Sequence, residues 1–99
     1  MVHVLVKVKF PPHKSQEIID VYTSGKAAKY PDFVKRIHQW AASDYDIRIY
    51  NIYEIPDEKF VPGMKAIAKR FSTYVTVEDY KYKIIPLMEG SEAIALSKK

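Results

Sequence analysis

From residue 2 to residue 10 the chain alternates. Val2, Val4, Val6, Val8 and Phe10 share one parity, and His3, Leu5, Lys7 and Lys9 share the other. A strand sends successive side chains to opposite faces, so β-branched alternation of this kind predicts a strand with one buried face. Pro11 and Pro12 end it. Ile18, Ile19 and Tyr22 then recur at helical spacing, which predicts a helix over 15–23 that Gly25 stops. The polar stretch 26–33, with Pro31, predicts a loop or an extra turn. Two more alternating runs follow, 34–41 and 45–55, joined by a turn at 42–44. Folded back on each other, they collect Ile37, Ala41, Ile47 and Ile49 on one face. Arg36, His38, Trp40, Arg48 and Tyr50 collect on the other. Pro56 and Asp57 break the second run. Met64, Ile67, Ala68 and Phe71 form the apolar stripe of a helix that starts at 60 or 62 and ends at 74, with Pro62 in its first turn. A last strand spans 80–88, and 89–99 is a short tail.

The order β-α-β-β-α-β is the split βαβ, or ferredoxin-like, pattern. It predicts an α+β fold built on a four-stranded antiparallel sheet. Right-handed crossovers put both helices on one face of that sheet. The valine face of the first strand and the isoleucine face of the hairpin then lie beneath the helices. The other face is left open, with Leu5, Trp40, Tyr50 and Ile52 in view of water. A contiguous apolar and aromatic patch on so small a protein marks an interaction surface. Two identical chains related by a twofold axis would cover it.

Composition narrows the class. Ninety-nine residues make one domain, and 47% hydrophobic with 28% charged residues is ordinary for a globular chain. Sixteen Lys plus Arg against twelve Asp plus Glu leaves a net charge of +4, which permits anionic partners without requiring nucleic acid. With no cysteine there is no disulfide, no thiol nucleophile and no Cys-based zinc site. No apolar run is long enough for a membrane span, and residues 1–7 lack the layout of a signal peptide, so a cytoplasmic protein is expected, without membrane association.

The open face holds the candidate chemistry. His38 is the best placed titratable group for proton transfer. In the register the alternation sets, it faces Arg48 across the hairpin, a neighbour that disfavours the protonated imidazole. A histidine packed in a dimer interface is the competing assignment. Trp40 would either stack on an aromatic ligand or fill the dimer seam. Tyr50 belongs to the same face, whereas Tyr22 and Tyr74 sit at helix-core spacing. Asn51 falls on the helix side among isoleucines and reads as a satisfied structural amide. Lys7, Lys9, Arg36 and Arg48 point to the open face, joined by Lys81 and Lys83, with only Asp46 and Glu54 opposing them on these strands. Such a face either keeps its lysine amines in water at a rim or admits an anion. His3, His13 and His38 share no metal-ligand spacing, and no metal site or cofactor is expected. The three glycines lie in no phosphate-binding motif.

Three segments carry a family resemblance: Phe10-Pro11-Pro12-His13-Lys14, His38-Gln39-Trp40 and Tyr82-Lys83-Ile84-Ile85-Pro86-Leu87. With them the chain resembles small members of the dimeric α+β barrel superfamily, and more narrowly one of its bacterial and archaeal families of unknown function. The resemblance implies a homodimer whose two sheets enclose a central cavity. That superfamily holds cofactor-independent monooxygenases, cyclases, isomerases, haem proteins and members without known activity. No catalytic set from any one of them matches this chain residue by residue, and a fold does not license a function. The expected function is therefore the binding of a small anionic or aromatic ligand in the cavity, by Lys7, Arg36, Trp40, Arg48 and Tyr50. The alternatives are a cofactor-independent monooxygenase, cyclase or isomerase using His38, a structural or regulatory dimer, and a single-strand nucleic-acid binder. The last is disfavoured, because 46–53 lacks the glycine and aromatic pattern of the RNA-recognition module.

Overall fold

The computed structural model describes residues 1–25 and 29–97. Part of the expected loop (26–28) and the end of the tail (98–99) lie outside the described residues. The elements in chain order are β1 (Val2–Phe10), α1 (Ser15–Thr23), β2 (Lys35–Ser43), β3 (Ile47–Ile55), α2 (Phe60–Ser72), β4 (Lys81–Leu87) and α3 (Gly90–Ser97). Short 3-10 turns lead into α1 and α2 and continue α2 through Thr73–Thr76. The four strands form one antiparallel sheet in the order β2-β3-β1-β4, consistent with the ferredoxin-like pattern. α3 occupies a segment where the pattern predicts only a tail.

Local chemistry explains the boundaries. Pro11 and Pro12 cannot extend the β1 ladder, and α1 follows from Ser15. After the C-cap Ser24, Gly25 sits at φ +76, the left-handed conformation that ends a helix without a Cβ clash. The β2–β3 turn falls later than expected, over 44–46. Asp44 N–H donates to the Asp46 carbonyl at 3.1 Å, and Tyr45 holds φ 97 fully exposed at the tip.

The core lies between the sheet and α2. Val4, Val6, Val8 and Phe10 on β1, and Tyr53 and Ile55 on β3, are buried against Ile67 and Phe71. At Gly63 the helix backbone rides directly on β3: a Cβ there would lie 2.7 Å from Ile55 Cγ2. Gly63→Ala would gain about 1 kcal/mol of helix propensity. It would meet an overpacking cost of about 1–3 kcal/mol. A lower urea midpoint for the alanine variant is the expected result, and a higher one would mean that Ile55 gives way freely.

α1 covers its part of the sheet poorly. None of its residues is buried, and Ile19 and Tyr22 are 51% and 57% exposed, so Tyr22 does not join the core as its spacing suggests. Tyr74 does, packed against Tyr80 and Phe71. Every residue of β2 is exposed. The radius of gyration, 15.0 Å, exceeds the roughly 13 Å of a compact chain of this length. The sheet thus extends beyond what its own helices cover.

Candidate functional site

The strand registers arrange the open face as four rungs. The first is Leu87, His3, Glu54 and Lys35; the second is Ile85, Leu5, Ile52 and His38. The third is Lys83, Lys7, Tyr50 and Trp40; the fourth is Lys81, Lys9, Arg48 and Ala42. One end of the face is therefore basic, the middle apolar and aromatic. Five cations, Lys7, Lys9, Arg48, Lys81 and Lys83, line an open depression of about 640 Å3 around Tyr50, with Tyr80 and Tyr82 at its margin.

Two of the five have carboxylate partners. Lys9 reaches Asp46 at 3.4 Å, and Arg48 Nε donates to both oxygens of Asp44 at 3.0 Å. The hydrogen bonds to Asp44, and then its charge, hold the Arg48 guanidinium above its ordinary pKa. The other three, Lys7, Lys81 and Lys83, make no ion pair among the described residues. Lys7 lies directly opposite Lys83, and Lys9 opposite Lys81. Like charges across a strand pair destabilise it, by about 0.2–1 kcal/mol per pair. An anion in the depression would reverse the sign.

Of the sequence-stated site residues, Lys7, Arg48 and Tyr50 are brought together here, with Trp40 at the end of the Tyr50 rung. Trp40 is 55% exposed, and its ring stacks on His38 at 4.7 Å and 12°. Two expectations are corrected. His38 pairs across the hairpin with Ile52, and Arg48 pairs with Ala42, so the His38–Arg48 pairing does not form. Among the described residues His38 has no hydrogen-bond partner to orient its ring as a general base requires.

The second correction concerns Arg36. A register shift between Arg36 and His38 makes Ile37 an extra residue, a β-bulge. Arg36 consequently pairs opposite Tyr53, on the helix side, and does not join Arg48 on the open face. Ile37, expected under the helices, is 40% exposed. On the helix side Arg36 lies near the Tyr53 hydroxyl, which in turn lies 2.5 Å from the Tyr30 hydroxyl. Beside them Gln39 Nε2 donates to Asn51 Oδ1 at 2.9 Å. Asn51 therefore has the partnered amide expected of it. This cluster went unforeseen because strict alternation aims Arg36 and Gln39 at opposite faces.

The described residues contain no group of three His, Asp or Glu side chains that could hold a metal ion. Nor is any described helix long and apolar enough to cross a membrane. No protein-family model matches the sequence, and no curated protein matches it. Among solved structures, a de novo designed protein, Foldit4, aligns over 89% of this chain and 97% of its own length, with 8% identity and a TM-score of 0.53. That likeness concerns the fold alone. A Bacillus cereus protein related to NIF3 aligns over 89% of this chain but 26% of its own, at 17% identity and a TM-score of 0.37, too distant to bear on function. What stands is a small α+β domain with a four-stranded antiparallel sheet, one face of which is open and basic at one end.

Proposed function

We propose that this chain is a homodimeric α+β barrel protein that binds a small phosphorylated aromatic compound on its open sheet face. The observation that carries the reading is the third rung, where Lys83 and Lys7 stand opposed beside Tyr50 and Trp40. Two lysines without carboxylate partners suit a dianion, and the adjoining phenol and indole rings suit a planar body. The apolar second rung, Leu5, Ile52 and Ile85, gives a second copy something to cover, and the uncovered sheet gives it room. Binding is favoured over proton-transfer catalysis because His38 stacks on Trp40 without an orienting partner.

The test uses 4-nitrophenyl phosphate, whose nitro ring quenches indole emission. Trp40 is the sole tryptophan, so quenching reports its rung alone. Saturable quenching is expected in the wild-type chain, weakened about tenfold or more in Lys7→Gln, as loss of a charged hydrogen bond implies. Light scattering is expected to give about twice the 11.5 kDa chain mass. Quenching that does not saturate overturns the ligand reading, and a stable monomer overturns the dimer. Release of nitrophenolate would favour the enzymatic alternative instead. Tight oligonucleotide binding with a steep salt dependence would replace the small ligand by single-stranded nucleic acid.

A further inference from the structure

The opposite side of the sheet holds a second pocket. Between α1 and the sheet a half-open cavity of about 170 Å3 remains, lined from α1 by Ile18, Ile19 and Tyr22. An engineered apolar cavity of roughly 150 Å3 accepts benzene, so this one has room for a single ring or a body of similar size. Its apolar lining includes Ile18, Ile49 and Phe71; its polar lining includes Arg36, Arg70, Tyr30, Tyr53 and the Gln39–Asn51 pair. None of the described residues that line it is acidic.

The polar groups have donors to spare. Arg36 makes no ion pair among the described residues, and it faces this cavity only because the bulge at Ile37 turns it there. Bulges often re-aim a side chain at a functional site. Asn51 is 2% exposed; its Oδ1 accepts from Gln39, and its amide nitrogen donates to no described residue. Tyr30 and Tyr53 use one hydroxyl hydrogen between them, which leaves the pair one O–H to give. Burial raises the pKa of both, so at neutral pH they are donors and not phenolates. Arg70 stacks its guanidinium 4.9 Å from the Tyr30 ring and adds positive potential at the same place. A set of donors with no acid among the described lining residues suits an anionic acceptor, and the small apolar space limits its size.

We propose that this cavity binds a monocarboxylate with a single-ring or similarly sized apolar body, its carboxylate held by Arg36 and Asn51 and its body against Ile49 and Phe71. Arg36 offers the planar fork that matches a carboxylate. The site does not depend on the open-face reading, since it lies across the sheet from Lys7 and Tyr50.

Sodium benzoate and the intact chain test it by NMR. Benzoate at millimolar concentration is expected to shift the Gln39 and Asn51 side-chain amides and the Tyr53 and Phe71 backbone amides. Arg36→Gln should weaken binding about tenfold or more, whereas Lys7→Gln should leave it within about twofold. Benzamide, of the same shape but neutral, should bind at least about tenfold more weakly than benzoate, a comparison that stands even if Arg36→Gln fails to fold. The proposal is overturned if benzoate shifts nothing, or if its shifts gather around Lys7 and Lys83. Equal binding of benzamide, or unchanged affinity in a folded Arg36→Gln chain, overturns it equally.

Discussion

Taken from about pH 9 to about pH 11, the folded chain should lose several kcal/mol of stability, because four tyrosines resist ionisation only while it is folded. Tyr30, Tyr53, Tyr74 and Tyr80 all have pKa values raised above the usual phenol value, chiefly by burial. The unfolded chain ionises each at about pH 10. Below that pH both states hold the same phenolic protons, and the tyrosines contribute no pH dependence. Above it the unfolded state binds fewer protons than the folded one, so stability falls until the folded pKa values are passed. A tyrosine whose folded pKa stays well above this range removes up to about 1.4 kcal/mol per pH unit; Tyr30 and Tyr80, with the largest shifts, together remove up to about 3, and Tyr53 and Tyr74 act in the same direction. That is a large share of the roughly 5–15 kcal/mol available to a domain of this size. Urea midpoints measured across this range, with tyrosinate absorbance as a second probe, should show ionisation and unfolding arriving together. Tyrosines that titrate freely near pH 10 with the fold intact would mean that the cluster around Phe71 and Tyr80 is open to water.

Lys83→Glu should move stability and binding in opposite directions. The substitution sets a carboxylate opposite Lys7, turning a repulsive cross-strand pair into an attractive one. A gain of about 0.5–1 kcal/mol is expected at low salt, shrinking as salt is added. Binding of 4-nitrophenyl phosphate should fall by about 10- to 100-fold, since one contact is lost and a repulsion added. Lys65→Glu, on the exposed side of α2, makes the same change of net charge and should leave binding nearly untouched. A Lys83→Glu chain that is less stable than wild type, or that binds as well, would mean that the lysine pair is neither strained nor functional. Residues kept at a cost to the fold are expected at functional sites.

The strands and the main helices were legible because their signals are local. β1 follows the valine alternation from Val2 to Phe10, and α1 follows Ile18 with Gly25 as its stop. The open-face residues of β1, β3 and β4 followed from the same parity, down to Lys81 and Lys83, whereas on β2 it misplaced Arg36. What parity cannot show is an inserted residue. β2 sets nine residues, Lys35 to Ser43, against eight on β3, Ile47 to Glu54, and the extra one is Ile37. Its apolar side chain, placed in an otherwise regular alternation, imitates a core position and so conceals the shift. The one available hint is Asn51, a buried amide that needs a partner which strict pairing with an aliphatic strand does not supply. Gln39 is that partner only in the register where His38 falls opposite Ile52 and not Arg48. The standoff of α1 was hidden for another reason. Ile19 and Tyr22 have helix-core spacing, and only the three-dimensional path over the sheet leaves them in water.

The two outer strands also govern how copies of this molecule can meet. β2 and β4 each present a row of backbone groups to solvent, the kind of border along which sheets fuse into aggregates. On β4 that row is interrupted by Pro86, which has no N–H to offer, and is flanked by Lys81 and Lys83. On β2 it is broken by the inserted Ile37, beside the charged Lys35 and Arg36. Neither border offers an incoming strand an unbroken template, a pattern that works against strand-by-strand growth into fibrils.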